Sequence, residues 1–171
     1  GTFYLRSKND NIVLFPGGRA HIDTYGFAGP GVKDYQRSNG TGLKANMFFR
    51  RFILELGGLV RGKWFFYMGG NFAATRVDGD QAPNPSANVY DGWVGYAAGP
   101  EFKILGGQFN TPVSMENTTS SRWLDLMERS ITARLASPYN KDIGLMAVGS
   151  LKDGLFDYFV AAVGGDGMNR M

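Results

Sequence analysis

Lys63-Trp64-Phe65-Phe66-Tyr67-Met68-Gly69-Gly70-Asn71-Phe72-Ala73-Ala74-Thr75-Arg76 is the stretch that decides the fold. Its even positions from Trp64 to Ala74 are all apolar or Gly, whereas Lys63, Tyr67, Asn71 and Thr75 stand among the odd ones. Successive side chains of a strand point to opposite faces, so a period of two means one apolar face and one mixed face. The pattern recurs along the chain. Phe52, Leu54, Leu56, Gly58 and Val60 oppose Ile53, Glu55 and Gly57, and Tyr90, Gly92, Val94, Tyr96 and Ala98 oppose Val89, Asp91 and Trp93. Arg19, His21, Asp23 and Tyr25 oppose Ala20, Ile22 and Thr24; Phe156, Tyr158, Val160 and Ala162 oppose Asp157. Phe102 and Ile104 alternate with Glu101 and Lys103, while 142–150 is apolar on both faces and takes no orientation from its pattern.

These segments predict seven long strands near 17–28, 44–60, 63–77, 87–98, 101–109, 141–151 and 154–164, after an N-terminal hairpin in 1–16. Long connections (29–43, 78–86, 110–140) alternate with tight ones at Arg61-Gly62, Gly99-Pro100 and Lys152-Asp153-Gly154. Long loops at one end and short turns at the other, on strands of ten residues or so, are the pattern of an outer-membrane barrel. The expected fold class is therefore all-β, an antiparallel transmembrane β-barrel. Trp64, Phe72, Tyr90 and Tyr96 on its apolar faces fit aromatic girdles. A soluble or surface β-sandwich that binds a ligand also alternates apolar and polar, and is the competing architecture.

Composition agrees. With 25 Gly in 171 residues the chain is no helical bundle, and 14% aromatic residues argue against disorder. Zero Cys and a single His, His21, argue against a metal centre, and no cofactor is expected. A formal net charge of +3 with scattered Lys and Arg does not make a nucleic-acid surface. Gly57-Gly58-Leu59-Val60-Arg61-Gly62-Lys63 fits most of a phosphate-binding loop, but Trp64 replaces the Ser or Thr that would hold Mg²⁺, and the context is a hairpin turn. Asp78-Gly79-Asp80 is half a calcium loop without its closing Glu. His21 and Asp23 invite a hydrolase reading, yet they lie two apart on one strand face with no Ser in an elbow context; no enzyme activity is expected.

Residues 110–140 break the strand rhythm. N-cap candidates Thr118-Thr119-Ser120-Ser121 precede Arg122-Trp123-Leu124-Asp125-Leu126-Met127-Glu128-Arg129, which reads as a short helix. Folded into a wide barrel, the loop would pack Trp123, Leu124 and Met127 on the wall and leave Arg122, Glu128 and Arg129 for the lumen.

Gly106-Gly107-Gln108-Phe109-Asn110-Thr111-Pro112, then Met115-Glu116-Asn117-Thr118-Thr119-Ser120-Ser121-Arg122 and Met127-Glu128-Arg129, resemble the signature of the phosphate-selective porin O and P family. Arg50-Arg51, Phe65-Phe66-Tyr67, Tyr90-Asp91-Gly92-Trp93-Val94-Gly95-Tyr96 and Asn140-Lys141-Asp142-Ile143-Gly144 follow the family's order, so the likeness spans roughly 1–165. The resemblance implies a bacterial outer-membrane channel: sixteen-stranded, homotrimeric, set in lipid, and passing small anions with phosphate or polyphosphate among them. Its third loop would fold inward as the constriction, carrying Glu116, Asn117, Arg122, Glu128 and Arg129. It also implies that 1–171 is one barrel segment, the first half of a longer barrel and incomplete at the C-terminus.

Carried over residue by residue, the likeness makes Arg50 and Arg51 the basic strand pair, Asp91 the pore-facing acid and Arg122 a basic loop position. Alternation turns Arg51 toward the lumen with Glu55 and places Arg50 on the lipid-facing parity, at the rim. The position after Glu116, often Lys in phosphate-specific members, is Asn117 here, which favours general anion or solute permeation. Arg19, Arg51, Asp91, Lys103 and Arg122 are the pore-lining candidates. Arginine suits oxyanions through its planar fork of donors, and a pore needs sites weak enough to release what they bind.

Overall fold

The computed structural model describes residues 3–32, 35, 45–73, 88–119, 130–136 and 140–167. One antiparallel sheet runs through them in sequence order: β1 (Leu5–Arg6), β2 (Ile12–Tyr25), β3 (Asn46–Val60), β4 (Trp64–Asn71), β5 (Asn88–Ala97), β6 (Lys103–Asn110), β7 (Lys141–Leu151) and β8 (Phe156–Val163). Two short helices, α1 (Met115–Thr118) and α2 (Ile131–Ala136), lie between β6 and β7. The sheet is open among the described residues, with no pairing of β1 to β8.

Seven of the eight strands, β2–β8, overlie the seven expected segments, and β1 precedes them. The expected N-terminal hairpin is present, with Leu5 opposite Leu14 and Arg6 opposite Val13, but its second arm is the beginning of β2. Pro16 sits inside that strand, beyond the reach of the two-residue β1; proline is tolerated where one side of a strand lacks a partner. The Arg61-Gly62 turn is tight because both residues take positive φ, 51° and 65°, which matches the twist of the flanking strands. β4 ends at Asn71, short of the expected 77, where the Asn71 side-chain oxygen accepts the Ala73 N–H at 3.1 Å. Segment 142–150 is oriented by its neighbours: Met146 faces Leu105 and Ala161, and Leu145 pairs with Gly106.

Burial is inverted relative to a soluble domain. Among the described residues, Ile53, Ala73, Leu105, Phe109 and Ala133 are the buried apolar ones, whereas eight polar or charged residues are buried, among them Glu55, Asp91, Gln108 and Lys141. Leu54, Met68, Val94 and Leu145 on the opposite face are 52–61% exposed. A β-sandwich would cover that face with a second sheet about 10 Å away; none is present among the described residues. An uncovered apolar face this extended needs lipid or a partner.

Two bulges break the alternation. Between His21 and Ile22 the β2–β3 register shifts, so Arg50 is an extra residue between Phe49 and Arg51. Between Gly69 and Gly70 the β4–β5 register shifts, so Tyr90 is extra between Val89 and Asp91. A bulge re-aims the side chain it inserts. Parity arguments therefore fail at these two residues: Arg50 is not on the lipid-facing side but joins Asp23, and Tyr90 leaves the face of Val94 to meet Arg19 and Lys141.

The second bulge is supported from β6. The β5–β6 ladder extends only to Gly92 opposite Gln108, and the Gln108 amide donates to the carbonyls of Val89 at 2.8 Å and Tyr90 at 3.3 Å. Gly107, at φ 132°, lets β6 approach this closely, since a Cβ there would lie 2.2 Å from the Gly92 carbonyl oxygen. Gly107→Ala is expected to cost about 3 kcal/mol through clash and left-handed strain. Thermal unfolding in detergent micelles checks it; an unchanged midpoint would show that the close approach does not matter.

Candidate functional site on the polar face

The inner face of the sheet gathers charge from four strands. Arg19 of β2 forms an ion pair with Glu55 of β3, their side chains 10% and 6% exposed. Lys141, the first residue of β7, reaches past β6 to Asp91 of β5, Nζ to Oδ1 at 2.5 Å, with the lysine side chain 4% exposed. Tyr90 joins the two pairs: the Lys141 ammonium lies 4.1 Å and the Arg19 guanidinium 5.6 Å from its ring centroid. A ring face attracts cations, more strongly when they are desolvated. The inserted aromatic thus sits between two buried cations, each matched to a carboxylate.

Toward the long-loop end lies a second basic group. Arg50 pairs with Asp23 at 2.6 Å, and Arg51 contacts His21 Nδ1 at 3.2 Å. The bulge places these consecutive arginines on the same side, which a regular strand cannot do.

The base of the long connection is clamped by Asn117, which is fully buried. Its side-chain amide donates to the Thr111 carbonyl at 2.7 Å, the Thr111 hydroxyl at 3.1 Å and the Asn140 carbonyl at 3.2 Å. Loop start and loop end are thereby fastened to each other. Ser114 caps α1 by accepting the Asn117 N–H at 3.1 Å, and Glu116 accepts the Ser130 hydroxyl at 2.6 Å, next to the start of α2. Thr118 of α1 lines an inner-face cavity of about 290 Å³ that Arg19, Tyr90, Asp91 and Lys141 also line.

Of the pore-lining candidates, Arg19 and Asp91 belong to the central cluster and Arg51 to the upper basic group. Lys103 opens β6 at the short-turn end, half-buried beside the turn at Gly99 and Pro100 and apart from both groups. Glu116 and Asn117 hold the loop together. Arg122, Glu128 and Arg129, with the helix expected at 122–129, lie outside the described residues. The described helices flank that segment, and Ser114 caps the first of them. Sequence reasoning missed Lys141, which begins the strand that had no readable orientation, and Tyr90, whose position depends on an insertion that alternation cannot signal.

Residues 17–154 match the family model described as phosphate-selective porin O and P. No curated protein matches the chain. A buried pair fails when one partner is removed, because the other charge is left uncompensated. Lys141→Met is expected to destabilise by about 3 kcal/mol, and Asp91→Asn in the same chain to restore most of it. A double-mutant cycle by denaturant unfolding measures this; purely additive effects would show that the two groups act independently.

Proposed function

Because the chain belongs to the phosphate-selective porin O and P family, we propose that it is an outer-membrane porin through which small solutes, anions among them, diffuse passively. The observation that carries this reading is the inversion of burial across one sheet: lipid-compatible side chains on one face, paired charges on the other. Backbone groups can cross hydrocarbon in strands only when neighbouring strands satisfy them, as those on both sides of β3–β7 do in order. The family points to a channel rather than an enzyme, and among the described residues no serine bonds His21.

Anion preference belongs to this proposal and is supported by the upper group, where the bulge sets the consecutive arginines Arg50 and Arg51 on one face of the sheet. The central cations are matched one to one by carboxylates, which supports modest selectivity rather than a phosphate-specific filter. Narrowing by loop 110–140 is part of the same reading, supported by the Asn117 clamp and by Thr118 at the inner cavity. A homotrimer in bacterial outer-membrane lipid completes it.

Planar-bilayer recording of the purified protein in a KCl gradient tests the proposal. The expected reversal potential lies on the chloride side of zero. Replacing both Arg50 and Arg51 by Gln should move it toward potassium, the permeability ratio falling by a factor of about two to five for each charge removed. Cation preference in the unaltered protein would refute anion selectivity, and absence of any conductance would refute the porin itself.

A further inference from the structure

The inner face carries aromatic rings that ion permeation does not call for. Tyr67 and Trp93, cross-strand partners on β4 and β5, lie with centroids 5.7 Å apart and planes 19° from parallel. Phe65 meets the same Trp93 edge-on, also at 5.7 Å. Tyr67, Trp93 and Tyr90 line the 290 Å³ cavity together with Arg19, Asp91 and Lys141. Flat apolar surface and charges of both signs therefore share one recess, which Thr118 of α1 also lines.

We propose that this cavity is a binding subsite for a neutral pyranose ring, a sugar held against Tyr67 and Trp93 while its hydroxyls bond to Arg19 and to the Asp91–Lys141 pair; the proposal rests on the porin reading. Charge is the first argument. The lining cations and Asp91, taken with Glu55 as the partner of Arg19, sum to zero, and each cation already faces a carboxylate. An inorganic oxyanion would have to displace that carboxylate and then remain beside it. A hydroxyl both donates and accepts, so it can bridge the two members of an ion pair without separating them. Shape is the second argument. The recess lies at the small end of small-molecule cavities and takes one ring rather than a chain of them. Chemistry is the third. The C–H face of a pyranose is apolar while its rim is polar, which suits aromatic faces bordered by fixed donors and acceptors. A subsite within a channel must also release its ligand, and rings at a wall with no enclosing metal or free charge give weak, reversible binding.

Single-channel recording in a planar bilayer tests this, with glucose as the cyclic probe and sorbitol as the linear polyol of near-equal size. Each current is normalised to the sugar-free current of the same channel. Glucose is expected to lower the current saturably, and sorbitol only in proportion to solution viscosity. Trp93→Ala should raise the half-blocking glucose concentration by about tenfold, the loss of one good ring contact, with Trp93→Phe in between. Equal effects of glucose and sorbitol would overturn the subsite while the sugar-free current upheld the porin. Saturable block by inorganic phosphate but not glucose would make the cavity an anion site and also overturn the proposal. No sugar-free current would remove both readings together.

Discussion

Hydrocarbon holds no water to satisfy a backbone N–H or C=O, so a chain that crosses it in strands must pair every strand with its neighbours. The rest of this structure depends on that constraint. Sequential antiparallel pairing of β1–β8 leaves side chains only two directions, outward or inward. The outward direction is filled by residues such as Leu54, Met68, Val94 and Leu145, which remain exposed in the isolated chain. The inward direction collects the charge. There the side chains of Arg19, Glu55, Asp91 and Lys141 are at most 13% exposed, so they satisfy one another. A buried charge left alone costs several kcal/mol, whereas a matched one roughly breaks even.

The departures from regular pairing are where the distinctive chemistry sits. One bulge sets Arg50 beside Arg51 on a single face, and the other inserts Tyr90 between two cations. Neither arrangement is open to an unbroken strand. The Tyr90 bulge leaves carbonyls beyond the β5–β6 ladder, and Gln108 caps them from β6 while Gly107 permits the close approach. The Gly106-Gly107-Gln108 run thus has a structural reason to be what it is. Asn117 plays the corresponding part for the loop, joining Thr111 to Asn140 through three hydrogen bonds from one amide.

Much of this was legible in the residues themselves. A period of two along β2, β3, β4 and β5 is sufficient to orient those strands, and the placing of Arg19, Arg51 and Asp91 on the inner face follows from it. Alternation is blind to an inserted residue, because one bulge reverses every parity beyond it; hence the misplacement of Arg50 and Tyr90. It is equally blind where both faces are apolar, so Lys141 stayed unassigned until pairing with β6 fixed β7. Short helices escaped for a different reason. Met115–Thr118 is a single turn held by Ser114 and the loop clamp, not by a hydrophobic period that a sequence could display.

The chain contains no cysteine, so single-cysteine variants report one position at a time. Accessibility of positions 47–60 to a membrane-impermeant thiol reagent, with the protein in lipid vesicles, tests the central claim most directly. The account predicts reaction at 51 and 57 and protection at 52, 54, 56 and 58, with the phase slipping at the bulge so that 50 reacts alongside 51 while 49 is protected. Uniform reactivity along the strand, or reaction at 52 and 54 with protection at 51 and 57, would contradict it.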